Sequence, residues 1–258
     1  RYQSLLRGKQ LTTLSTSELK AAVSFNSFTF FLSTDEMKKD FPFPWPGDVF
    51  FDTFPESYLQ IPSEILPPPD EVLNKKFDLI IFGYQVWYLT PSIPIISFLK
   101  SGFAADILKN TPVVTISATR NMWMLSQEIL IVYLRDLQAK LVGNIALVDR
   151  HDNYTSVLTI LRWLTTGQKE KSGMLPAAGV SDEEINGSGK YGKIIEKHFS
   201  AHTLEALQPD LVKNGAVEIR AFLVRVEKVG NKIFTIWWFY ISCIVNYFIS
   251  FMFTFFST

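Results

Sequence analysis

The chain has 258 residues, with 25 Lys and Arg against 25 Asp and Glu, so its formal net charge is zero. That length suits one α/β domain with additions, and the neutrality gives no electrostatic footprint for nucleic acid. The single cysteine, Cys243, excludes an intramolecular disulfide framework and a cysteine-based zinc or iron–sulfur site.

Residues 1–20 are polar and mixed. The chain begins at Arg1 without an early apolar run, which reads as a processed chain or a fragment with no signal peptide. Val23, Phe25, Phe28 and Phe30 predict a strand over about 22–31. Eight of the 13 prolines then lie between Pro42 and Pro69. This Pro/Phe-rich insertion, 41–69, is expected to hold neither regular helix nor central strand. It reads as a lid or docking surface, or as a stiffened linker.

Leu79 to Phe82 form a continuous apolar run, as a strand buried on both faces requires. Gly83 ends it, Trp87 and Tyr88 follow, and Thr90-Pro91-Ser92 reads as a helix start. In open α/β sheets, ligands bind outside the carboxyl ends of the strands. Aromatics there suit a flat, stackable ligand; the alternative is that they merely cap the core. A helix over 92–109 leads to a strand at 112–117. That strand runs into Ala118-Thr119-Arg120-Asn121-Met122-Trp123. A helix to about Leu141 carries the stripe Leu130, Leu134, Leu137 and Leu141. A strand over 143–149 ends at Asp149-Arg150-His151-Asp152. Strands alternating with helices imply parallel β-α-β units.

Ser181 reads as a helix N-cap with acids in the first turn, 191–213 as helix, and Val217–Val229 as extended chain or a strand pair. His198 and His202 are four apart; a solvated helix face is expected there, and no metal site. Ile233 to Thr258 holds no charged residue. A run of that length can cross a bilayer, with Trp237, Trp238 and Tyr240 at the interface and Lys228 and Lys232 before it. A buried core helix is the alternative. The expected organisation is a domain over 1–165, a helical extension over 166–232 and a membrane-anchoring helix over 233–258.

Gly83-Tyr84-Gln85-Val86-Trp87 resembles the Gly-Thr-Pro-Val-Trp type turn of flavodoxin-like proteins, which touches the isoalloxazine of FMN. The resemblance implies a doubly wound parallel sheet of order 2-1-3-4-5, with its first strand missing among the four candidates. Gly8, Gln10 and Thr12 would then be the remnant of the phosphate loop. Tyr84, Gln85, Val86, Trp87, Ser117, Asn121 and Trp123 would border the flavin.

Further stretches point to a narrower group. They are Phe41-Pro42-Phe43-Pro44-Trp45, Phe54-Pro55-Glu56-Ser57 with Ile61-Pro62, Arg120-Asn121-Met122-Trp123, Leu141-Val142-Gly143-Asn144-Ile145 and Val148-Asp149-Arg150-His151. Over roughly 41–230 the chain resembles the bacterial dialkylresorcinol condensing enzyme family, found beside ketosynthases in aryl-polyene and flexirubin-type pathways. Carbon–carbon condensation of thioesters needs a nucleophilic thiol, and Cys243 lies in the apolar tail. The resemblance therefore implies an FMN-dependent oxidoreductase that aromatises a dialkyl cyclohexanedione, a small hydrophobic ketone, to a resorcinol. His151 would be its base or proton shuttle. Arg120 and Arg150 would hold an enolate oxygen or the cofactor phosphate, or else be loop charges. A ketosynthase partner and the cytoplasmic face of the bacterial inner membrane follow from the same resemblance. The other reading is a degenerate flavodoxin-like, non-catalytic protein that binds partners at the membrane.

Overall fold

The computed structural model describes residues 43–256, and the chain divides into two compact units between Glu218 and Ile219. The strand expected at 22–31, and Gly8, Gln10 and Thr12, lie outside the described residues.

The first unit is mixed α/β, built on a three-stranded parallel sheet of order β1-β4-β5. Its strands are β1 (Ile80–Tyr84), β4 (Pro112–Thr119) and β5 (Lys140–Val148). A separate two-stranded ribbon is made by β2 (Val86–Trp87) and β3 (Thr90–Pro91). The predicted strands at 78–83 and 112–117 are adjacent and parallel, with Ile80 opposite Val113 and Tyr84 opposite Ser117. These strands are apolar runs because both of their faces are covered.

Alternate residues serve opposite faces. Ile80, Phe82 and Val113 pack against Ile95, Phe98, Ile107, Leu130 and Leu134. Those partners come from α4 (Ile93–Leu99), α5 (Ala104–Leu108) and α6 (Met124–Asp136). Leu79, Ile81, Val114, Ile116 and Ile145 pack against Ile185, Ile195, Leu207 and Leu211. These lie on α8 (Asp182–Gly187), α9 (Gly189–Ser200) and α10 (Leu207–Lys213). Residues expected in a C-terminal extension thus form the second layer over the sheet. The close approach of α10 requires Gly143. A Cβ there would meet Leu211 Cδ1 at 3.0 Å and Leu207 Cδ2 at 3.1 Å. The β4–β5 register slips at the same place, between Val113 and Val114.

Several expectations are corrected. The Pro-rich insertion contains helix: α1 (Gly47–Asp52), α2 (Phe54–Tyr58) and α3 (Asp70–Leu73). Its prolines are compatible because Pro46 and Pro69 occupy N-cap positions and Pro55 the first turn of α2, where no N–H is needed. The helix expected over 92–109 is two short ones, broken across residues 100–103, where the Ser101 hydroxyl donates to the Phe98 carbonyl. Thr90 and Pro91 belong to the ribbon, and Ser92 is the N-cap. The long helix ends at Asp136, so Leu141 of the expected stripe lies in β5.

A helix absent from the sequence reading, α7 (Asn153–Thr166), follows β5. Asp152 caps it by accepting the N–H groups of Tyr154 and Thr155, and Gly167 ends it at φ +74°. Hydrogen bonds from Thr155 hold the Asp152 carboxyl below its usual range. Ser181 caps α8 as expected, accepting the Glu184 N–H.

The stretch 191–213 is interrupted after Ser200, where His202 takes φ +54°. His198 therefore does not share a solvated helix face with His202. It is buried, with Nε2 at 2.9 Å from Asp210 Oδ2 and Nδ1 at 3.0 Å from Thr203.

The second unit is the helix α11 (Ala221–Phe256). It includes most of the segment expected as extended chain. The Ala, Leu, Arg, Glu and Lys around Val224 and Val226 are good helix formers. Phe222, Ile233, Ile236, Phe239 and Tyr240 are exposed on this helix. Among the described residues, no helix is long and apolar enough to cross a membrane. Beyond Tyr240 only the Cys243 side chain is described, and it is exposed.

Candidate functional site

The three parallel strands deliver their following loops to one sheet edge. Tyr84 lies opposite Ser117 and Thr119 opposite Val148, and the Asp149 N–H donates to the Thr119 carbonyl at 2.9 Å. Gln85, Arg120 and His151 therefore leave the sheet on the same side, where the fold class places ligands.

At the exit of β1 the chain forms a tight hairpin. Its two turn residues, Tyr88 and Leu89, have φ +48° and +66°. A two-residue turn of that hand matches the twist of the strands, but it normally uses glycine or asparagine. Aromatic packing holds the unfavourable residues in place. The Tyr88 ring lies 5.3 Å from Phe50 and 5.1 Å from Phe54, and its hydroxyl donates to the Phe50 carbonyl. Burial raises the Tyr88 phenol above its ordinary value. The Trp87 ring meets Trp45 edge-on at 5.5 Å, and the Thr90 hydroxyl lies 2.9 Å from the Ser57 carbonyl. The Pro/Phe-rich segment thus packs on the hairpin. Trp87 and Val86 are half-buried there, and the Gln85 carbonyl accepts the Ser92 N–H.

Alternation turns Tyr84 into the core beneath α6. Its hydroxyl donates to Gln127 Oε1 at 2.7 Å, and Gln127 Nε2 donates to Thr115 Oγ1 at 3.2 Å. Thr115 Oγ1 lies 3.0 Å from Asn144 Oδ1. Trp123 is likewise buried, at the N-cap position of α6. Four other polar atoms on these elements are buried without a hydrogen-bond partner among the described residues: Ser92 Oγ, Ser117 Oγ, Asn121 Oδ1 and Ser126 Oγ. Buried polar groups are normally satisfied, so such a group marks a place for water or a ligand. Ser117 lies opposite Tyr84 and so faces the same core side, whereas Asn121, in the loop after β4, has a carboxamide that fits the polar edge of a flat heterocycle such as FMN.

A second polar chain starts at the exits of β4 and β5. Asp149 has a wholly buried side chain, and its Oδ1 lies 2.6 Å from His151 Nδ1. The same oxygen accepts the His151 backbone N–H at 3.0 Å. Asp149 Oδ2 accepts the Ser156 hydroxyl at 2.9 Å, and Ser156 Oγ accepts Arg120 Nε–H at 3.0 Å. Burial lowers the Arg120 pKa, and the Asp149 charge opposes that shift. The His151 imidazole is 38% exposed, so this chain ends at solvent.

Arg150 is held by two carboxylates. It forks onto Glu184, with Nε–Oε2 at 2.7 Å and Nη2–Oε1 at 3.1 Å, and also reaches Glu218 at 3.1 Å. Its pKa is raised, chiefly by the Glu184 hydrogen bond.

Sequence reasoning missed Asp149, Ser156 and Gln127. An Asp two residues before a His at a strand end was the available sign for Asp149. Ser156 depends on α7, which was not anticipated. Among the described residues, no group of three or more His, Cys, Asp or Glu could hold a metal ion. No protein-family model matches the chain, and no curated protein matches it.

Proposed function

We propose that this chain is a flavodoxin-like oxidoreductase that binds FMN at the carboxyl edge of its sheet and aromatises a dialkyl cyclohexane-1,3-dione to a resorcinol. The observation that carries the reading is a juxtaposition at one edge. The unpartnered carboxamide oxygen of Asn121, in the loop after β4, shares it with a half-exposed imidazole seated on a buried carboxylate. Bound there, FMN would accept the hydride. His151 would take the acidic proton beside the ketone, and loss of one hydride and one proton leaves an enedione that enolises to the resorcinol. Arg120 sits close enough to Asp149 to feel its charge and would favour an anionic form of the substrate nearby.

The apolar run 233–258 would anchor this domain on the cytoplasmic face of a bacterial inner membrane. A ketosynthase is the expected source of the dione. Deleting 233–258 should move the protein to the soluble fraction; a variant that stays with membranes would place the anchor elsewhere.

One observation favours a non-catalytic, partner-binding reading. Trp87 and Tyr88 are engaged by the Pro/Phe-rich segment, which leaves Phe51 exposed as a contact point. The visible absorbance of the full chain, purified and incubated with FMN, separates the two. Retained flavin that is lost in Asn121→Leu supports the oxidoreductase. A chain that never retains FMN contradicts it.

A further inference from the structure

We propose that Asp149 is the positioning partner of His151, holding the imidazole with its proton on Nδ1 and presenting Nε2 as the proton acceptor. Asp149 is ringed by hydrogen-bond donors. An ionised carboxylate only accepts. Its Oδ1 receives the His151 backbone N–H and faces His151 Nδ1 at 2.6 Å. Its Oδ2 receives the Ser156 hydroxyl. The Ser156 hydroxyl is oriented by its own neighbour: it accepts Arg120 Nε–H, so its one proton goes to Asp149. With Oδ1 acting as acceptor, Nδ1 must donate, and a neutral imidazole then has its lone pair on Nε2.

A carboxylate two residues before a histidine can be a local turn and nothing more. Two features set this one apart. Its side chain is wholly buried, a costly place for a charge unless donors and a countercharge accompany it. Those companions come from two other elements, Ser156 from α7, seven residues on, and Arg120 from the loop after β4. His198 shows the contrasting arrangement. Both of its ring nitrogens are engaged, by Thr203 and Asp210, so it has no nitrogen to offer a substrate. Among the described residues His151 Nε2 has no hydrogen-bond partner, and the ring is partly open to solvent.

The use of Nε2 as a base in turnover rests on the oxidation reading above, whereas the tautomer does not. The test is ring-¹⁵N NMR of the full chain, labelled at histidine, with His151 assigned by its loss in His151→Gln. In the neutral imidazole, the proton of His151 should reside on Nδ1. In Asp149→Ala it should redistribute toward Nε2. With FMN and a cyclohexane-1,3-dione, kcat of that variant should fall by roughly 10²-fold, the lower end for a general base, with KM held. A purely structural role for Asp149 would not move the tautomer. The wild-type spectrum alone can overturn the proposal, whether or not the variant folds, if it shows His151 protonated on Nε2. An unchanged tautomer in a folded Asp149→Ala variant also overturns it. The Nδ1-protonated form without dione turnover in the wild type upholds the pair and contradicts the oxidation reading instead.

Discussion

Two polar chains run through this sheet, and they end differently. Tyr84, Gln127, Thr115 and Asn144 form a chain beneath α6 that is buried for most of its length. Arg120, Ser156, Asp149 and His151 form a chain that starts buried and finishes on a half-exposed imidazole. The first can only specify packing, because a satisfied network in a low-dielectric interior rigidifies the core. The second can exchange a proton with something outside. The two should therefore fail in different currencies, the first in stability and the second in turnover.

The largest expected effect is on the open chain. His151→Gln should lower dione turnover by roughly 10²- to 10⁴-fold while shifting the unfolding free energy by about 1 kcal/mol or less, as befits a partly exposed site. Steady-state assay and urea unfolding of one preparation check both halves. A large loss of stability would put His151 in the same class as Gln127. Gln127→Leu should do the reverse. It removes the acceptor of a buried phenol and should cost about 1–3 kcal/mol, read as a lower urea midpoint with the slope unchanged.

A smaller effect is expected where the insertion meets the hairpin. A double-mutant cycle of Trp45→Leu and Trp87→Leu should give a coupling of about 0.5–1.5 kcal/mol for the edge-on pair. Zero coupling would detach the Pro/Phe-rich segment from the site's rim.

The smallest effect concerns Asp210. The His198 hydrogen bond holds its carboxyl below the ordinary 3.8. A carboxyl depressed in the folded state stabilises fully above the unfolded value and loses that contribution as pH falls through the lower, folded value. Asp210→Asn should flatten the stability profile only below about pH 4. A change confined to neutral pH would show that the interaction is misassigned.

The comparison also shows what a sequence carries openly. The strands of the parallel sheet were legible because burial on both faces leaves unbroken apolar runs, such as Leu79–Phe82. The exits of β1, β4 and β5 were legible for the same reason, and they led to Arg120 and His151. The direction of Tyr84 was not read, although alternation from Ile80 and Phe82 places it on the core face rather than toward a ligand. Asp149 escaped because its role depends on Ser156, in a helix whose β-branched content (Thr155, Val157, Thr159, Ile160) obscured its period. The cap at Asp152 and the stop at Gly167 were nonetheless present as signals. The short helices of the insertion escaped because prolines were read as breakers when they were helix starts.

The central claim is that the open chain serves hydride and proton removal from a ketone. Its most direct test is anaerobic mixing of the FMN-loaded full chain with a 2,5-dialkylcyclohexane-1,3-dione, following the visible flavin absorbance. The account predicts bleaching of the flavin with stoichiometric resorcinol in the wild type, and retained but unbleached flavin in His151→Gln. Bound flavin that the dione does not reduce in the wild type, or equal bleaching in both proteins, would contradict it.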